Sequence, residues 1–268
     1  MSSCARSSRR GIPLAAPNIF RLIYRNIRVN TDPGSLVILL GLPAMYLIFF
    51  GYGFASLEPS GSSATAYLHF LTPGIMSFNA VMAGVVGGSM LWADRRYGML
   101  AQLLVQPFTR TEYLFGLMLT SLLLGLGGAG LMLLIASLLL GVSTLTALGA
   151  LIAFAVIALG SIFFGSLLLW IAAIVKSNNA YNSIQVLVIF FVNFASTVFY
   201  QQTPSLPYPI RVLMLINPLT YIANATRGGY TGTLNGTVGL EVLVLAIETV
   251  VMLIVATRAY LRSDVSME

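Results

Sequence analysis

The chain carries little to do chemistry with. One histidine (His69) and one cysteine (Cys4) stand among 268 residues, beside eight carboxylates and fourteen lysines and arginines. A single histidine cannot supply a Ser-His-Asp relay or a multi-histidine zinc site, and a single cysteine allows neither an internal disulfide nor a thiolate cage. The only lysine, Lys176, follows Ala173-Ile174-Val175, where a P-loop needs a glycine directly before its lysine. Two carboxylates, Glu241 and Glu248, recur at i and i+7 on one face of an apolar stretch. At membrane depth such a group points to a proton or substrate site, or it is protonated or paired with Arg227 or an amide and serves packing. Asn79, Gln185 and Asn193 lie in equally apolar surroundings, where amides make interhelical hydrogen bonds worth about 1 kcal/mol each. His69, at the end of an apolar run, reads as an interface residue rather than a ligand.

The elements that hold these groups follow from composition. Only 8% of residues are charged, 57% are hydrophobic, and the mean hydropathy is +0.89. Soluble domains carry about 25% charged residues. Residues 113–175 contain no Asp, Glu, Lys or Arg, and neither do residues 177–210. A spanning helix needs roughly 20 apolar residues, so these two gaps alone accommodate about three. A soluble enzyme, a nucleic-acid module and a disordered tail are excluded. The expected fold is all-α: a polytopic membrane protein with six transmembrane helices at 35–54, 70–92, 113–140, 145–175, 181–200 and 238–260. Polar turns at 141–146 and 176–179 separate the third, fourth and fifth. Glycines 84, 87 and 88, and 125, 127, 128 and 130, imply close helix packing rather than a pore lining.

Basic residues orient the bundle. Twelve of fourteen fall on one side, among them Arg6, Arg9, Arg10, Arg95, Arg96, Lys176 and Arg258, whereas Arg211 and Arg227 fall on the other. Both termini are therefore expected in the cytoplasm, and the net charge of +6 reflects topology rather than affinity for nucleic acid. Residues 1–17 are basic and Ser-rich with no apolar run, so a cleaved signal peptide is not expected.

Three stretches outside the spans stand out. Residues 18–31 are amphipathic, with Arg21, Arg25 and Arg28 at i, i+4 and i+7 and with Phe20, Ile23, Tyr24 and Ile27 on the opposite face. Such a helix lies at the membrane interface, or the arginines act simply as a positive-inside anchor. Asp32-Pro33-Gly34 then breaks it. The short loop 93–111 encloses an apolar run, 99–105, between Arg95-Arg96 and Pro107. As a helix that run presents Leu100, Leu103 and Leu104 on one face, either to lipid or to a cytoplasmic partner. Residues 201–237 contain apolar pieces too short to span, broken at Pro204, Pro207, Pro209 and Pro218. They suit short re-entrant or external helices before the last span. Asn224-Ala225-Thr226 and Asn235-Gly236-Thr237 match the glycosylation sequon.

A family resemblance runs through these stretches. Asp94-Arg95-Arg96-Tyr97-Gly98-Met99-Leu100, then Leu103-Leu104-Val105-Gln106-Pro107, Thr109-Arg110 and Gly116, resembles the loop of ABC-2 type permeases, most of all the daunorubicin-resistance and nodulation-export type. Leu71-Thr72-Pro73-Gly74-Ile75 is similar to the family's second span. Asp32-Pro33-Gly34 with Phe50-Gly51-Tyr52-Gly53-Phe54 is similar to its first. Asn217-Pro218-Leu219-Thr220-Tyr221 with Arg227-Gly228 resembles its external signature. Arg96 departs from the family's usual glutamate, which puts an acidic contact at that position in doubt.

The resemblance implies a cytoplasmic N-terminus with its amphipathic helix (1–33), a six-span permease domain (34–260) and a cytoplasmic tail (261–268). It implies the permease subunit of an ATP-driven exporter in a prokaryotic cell membrane, moving a drug, lipid or glycan. ATP and Mg would bind separate ABC ATPase subunits, and a second permease subunit, identical or a sister, would complete the assembly within the lipid bilayer. Asp94, Arg95, Arg96, Gly98, Leu100, Leu103, Leu104, Pro107 and Arg110 would couple it to the ATPase. The rival reading is an ion-coupled secondary transporter or channel using Glu248. An integral-membrane enzyme is disfavoured by the scarcity of titratable groups.

Overall fold

A computed structural model describes residues 18–57, 61–105, 109–139 and 145–263; Cys4, the basic residues before Asn18, Gln106, Pro107, the turn at 141–144 and the end of the tail lie outside them. The described residues form ten helices and no strand. In chain order they are α1 (Asn18–Asn30), α2 (Pro33–Leu57), α3 (Gly61–Arg96), α4 (Met99–Val105) and α5 (Arg110–Leu139). Then come α6 (Ala147–Ile174), α7 (Asn178–Phe194), α8 (Tyr208–Ile216), α9 (Pro218–Thr231) and α10 (Gly236–Arg262). Helices are what an apolar chain must form where no water can satisfy its backbone.

Short polar side chains start them. Asp32 Oδ2 accepts from the amides of Gly34 and Ser35, and the hydroxyl and amide of Ser35 hold its carboxyl below the usual carboxylate range. Thr109 and Glu112 form a reciprocal capping box at the head of α5. Thr146 and Asn235 cap α6 and α10.

Five helices are long and apolar enough to cross a membrane: α2, α3, α5, α6 and α10. The span expected at 181–200 is shorter than the sequence implies, because α7 has 17 residues and stops at Phe194. There Ser196 Oγ donates to Asn193 O at 2.6 Å and accepts from Val198 N at 3.3 Å, so a hydroxyl replaces the helical ladder. Residues 196–199 then run buried and non-helical. The other five match their expected segments, with ends shifted by a few residues; α3 extends furthest beyond its prediction, from Gly61 to Arg96. As expected, two short helices, α8 and α9, precede the last span.

The central element is α3, packed against α2, α5, α6 and α9. A side chain at Gly84 would put its Cβ 2.5 Å from the Phe164 backbone, and one at Gly88 would meet Leu168 at 2.6 Å. These glycines let α3 and α6 touch along their backbones. Gly87, Gly125 and Gly128 likewise face Ser121, Ser161 and Asn79, whereas Gly127 and Gly130 face open space. Two apolar clusters lie at opposite ends of α3. One joins Leu71, Ile75 and Phe78 to Phe164, Leu219 and Ile222. The other joins Leu91 and Trp92 to Leu22, Leu100, Tyr113 and Tyr260.

Candidate functional site

At the α1 end of the bundle α3 turns into α4 through Gly98, whose φ of 68° lies in the left-handed region and leaves it without close neighbours. The turn aims Leu100 and Leu103 inward: they are 2% and 9% exposed and belong to the cluster around Trp92 and Tyr113. This corrects the expectation that these leucines face outward. The apolar stripe of α4 is covered by the chain's own helices. The Leu104 side chain and Pro107 lie outside the described residues. The outward face carries Tyr97 (72% exposed), Met99, Gln102 and Val105 (89% exposed).

The charged residues beside α4 are largely used inside the chain. Asp94, 7% exposed, accepts from Arg25 Nη2 at 2.6 and 2.9 Å and from the Tyr113 hydroxyl at 2.6 Å. That triad ties α1, α3 and α5 together. Arg95, 2% exposed, donates to the carbonyls of Ala172 and Ala173 at 2.5 and 2.9 Å. Its guanidinium caps the C-terminal end of α6, where the helix dipole favours a cation. Asp94 and Arg95 are therefore not surface groups around an apolar anchor. Arg96 is exposed, with its guanidinium 5.3 Å from the Trp92 ring centroid. Arg110 donates to the carbonyls of Leu261 and Ser263 at the end of α10.

Helix α1 has three faces rather than two. Leu22, Ile23 and Asn26 are buried, with Leu22 against Gly116 and Asn26 Nδ2 donating to Thr120 Oγ1 at 3.3 Å. Phe20 and Tyr24 are exposed and Ile27 is partly so, forming an apolar stripe beside the exposed Arg21 and Arg28. Ile23 thus belongs to the protein-facing side, and Arg25 turns from the basic side to Asp94. A docked helix keeping one apolar and one basic stripe outward suits a membrane surface.

The opposite end is organised by two residues. Asn217 Oδ1 accepts from Leu219 N and caps α9, while its Nδ2 donates to the carbonyls of Val192 and Ala195 at 2.6 and 2.8 Å and closes α7. The Asn-Pro dipeptide is a helix-start signal; the second half of its role has no local signature. Arg227 lies over the Phe70 ring at 3.7 Å. Its donors reach the carbonyls of Phe70, Thr197 and Val198 and the side chains of Thr197 and Asn224. Gly74, from the Leu-Thr-Pro-Gly-Ile run, makes room: a Cβ there would stand 2.5 Å from Val198 O.

The polar residues expected at membrane depth divide by partner. Asn79 Nδ2 donates to Ile75 O in its own helix, and its Oδ1 lies buried beside Gly128. Gln185 Oε1 accepts from Ser89 Oγ at 3.2 Å. Asn193 is buried. Glu241 accepts from Asn224 Nδ2 at 3.1 Å, and Asn224 in turn binds Arg227. The arginine-linked carboxylate is therefore Glu241. Glu248 keeps a buried Oε2 with no hydrogen-bond partner among the described residues. Sequence reasoning did not reach Tyr113, Trp92 or Tyr181, whose roles depend on neighbours from other helices.

Residues 18–231 match the family model described as ABC-2 type transporter. No curated protein matches the chain.

Proposed function

Because the chain belongs to the ABC-2 type transporter family, a family of membrane permease subunits that are not themselves catalytic, we propose that it exports an apolar or amphipathic substrate with ATP hydrolysed by a separate subunit. The observation that carries this reading is the α4 face. Met99 and Val105 point outward from a helix whose other side is buried and whose root is tied down by Arg25, Asp94 and Tyr113, and Tyr97 points outward from the turn before it. An apolar patch of this kind, with Arg96 at its rim, has the anatomy of a docking surface. The ATPase subunit is its occupant in this reading.

The α4 end then faces the cytoplasm with both termini, in a prokaryotic cell membrane, and α1 rests its Phe20–Tyr24 stripe among acyl chains. A second permease subunit pairs with this one. Support comes from α7, which exposes Val186, Leu187, Phe190 and Phe191 beside Asn182 and Ser183. Such a mixed face suits a partner helix better than lipid. ATP and Mg act only on the partner subunit, and ATP binding favours the outward-facing state through contacts at the α4 face. The substrate class spans drugs, lipids and glycans.

Isolation of the tagged permease in mild detergent tests the assignment. Co-isolation of an ABC ATPase near equal stoichiometry is the expected result. Proton-driven flux by a preparation free of any ATPase would instead support an ion-coupled transporter, a reading favoured only by the unpartnered Oε2 of Glu248.

A further inference from the structure

Helix α7 is held to the rest of the single chain mainly near its two ends. Among its residues only Tyr181 and Asn193 are buried. At the first end the Tyr181 ring stacks on Trp92, centroids 5.4 Å apart and planes within 15°. One turn further, Ser89 Oγ donates to Gln185 Oε1. At the last end Asn217 takes the carbonyls of Val192 and Ala195 while capping α9. Between these joints the helix shows an exposed face, and its closer side is only partly covered.

The first joint lies next to the α4 root. Trp92 sits on the last turns of α3, and the Arg96 guanidinium is placed over the same indole. A displacement of the Gly98 turn therefore reaches Trp92, six residues back, within about two helical turns. A hydrogen-bonded helix is stiff along its axis, and 17 residues reach roughly 25 Å. Pinned at its ends within the chain, and with the exposed face between them turned to the second permease subunit of the proposed assembly, it carries a displacement along its axis from Tyr181 to Asn217.

We infer that α7 is the rod by which the α4 end of the bundle positions α8 and α9, with Trp92 and Tyr181 as positioning residues at one joint and Asn217 at the other. The inference rests on the proposed function in taking the α4 face as the place where force enters. The rod itself requires neither ATPase nor substrate, and it deepens the account of how a docking event is felt at the far end.

Hydrogen exchange of the full-length permease in lipid nanodiscs, read by mass spectrometry without nucleotide, is the test. Tyr181→Leu removes the stacked ring and Tyr181→Phe keeps it. An aromatic pair of this kind supports about a two- to tenfold change in a local opening equilibrium. Exchange over residues 193–219 is expected to rise by about that factor in Tyr181→Leu, to stay at the wild-type level in Tyr181→Phe, and to leave α5 unchanged. A rise confined to residues 178–186 overturns the rod. Should Tyr181→Leu loosen α5 and α6 as well, a second variant decides. Ser89→Cys with Gln185→Cys, cross-linked in a Cys4→Ser background, is expected to slow exchange over 207–219, and an unchanged rate there overturns the inference. A permease that co-isolates no ATPase sinks the proposed function and leaves this result standing by itself.

Discussion

Arg25 and Asp94 are 69 residues apart in sequence and 2.6 Å apart in the folded chain, joining α1 to the last turn of α3. Tyr113 completes the pair from α5. Arg25→Ala should destabilise the permease by about 1–3 kcal/mol, since it leaves a buried carboxylate with the tyrosine alone. The double variant Arg25→Ala/Asp94→Ala should lose less than the sum of the singles, by about 1 kcal/mol. Thermal melting in detergent measures the cycle, and strictly additive losses would mean that the pair contributes nothing.

Two substitutions on α4 should behave oppositely. Leu103 is buried in the Trp92–Tyr113 cluster, so Leu103→Ala should cost about 2 kcal/mol or more. Val105→Asp, on the outward face, should leave melting unchanged and reduce retention of the ATPase in pull-down. Undiminished retention for both Val105→Asp and Tyr97→Asp would remove the docking surface.

Arg227 donates from all three guanidinium nitrogens to α3, α9 and the segment after α7. A lysine offers a point charge in place of that planar fork. Arg227→Lys should therefore destabilise by about 2 kcal/mol or more, and Gly74→Ala should do so independently by pushing Val198 away. A melting temperature unchanged in Arg227→Lys would show that the clamp is not needed.

Orientation is open to cysteine labelling in a Cys4→Ser background. Arg96→Cys should stay unlabelled by an impermeant maleimide added to intact cells, and Thr233→Cys should react. The reverse pattern would invert the proposed topology.

Glu248→Gln should leave transport and ATPase assembly largely intact, because among the described residues the carboxylate makes no hydrogen bond through Oε2 that a neutral amide would break. Lost transport with normal melting and normal assembly would make Glu248 a functional site.

Much of this architecture is legible in the chain alone. Charge-free stretches bound most of the spans, prolines separate α8 from α9, and Asn217-Pro218 marks where a helix begins. These are local signals, set by the need of an apolar backbone to bond to itself and of a helix end to be capped. Tertiary structure decided which face of each helix meets protein. Bilayer chains are as apolar as leucine, so an apolar side chain in a span shows no preference for the interior that a sequence could display. Outside the spans, the apolar run of α4 is equally silent on whether it meets this chain or a partner: Leu100 and Leu103 turned inward, while Tyr97 and Val105 were left outside. The same reason hides partner choice. Arg25 could have faced headgroups with Arg21 and Arg28, yet a buried Asp94 requires a cation and Arg25 supplies it. Glu241 rather than Glu248 is linked to Arg227 because Asn224 stands between them. The early end of α7, too, is a matter of competition. Residues 195–200 could continue a helix, but the Ser196 hydroxyl and the Asn217 amide take the hydrogen bonds that would extend it.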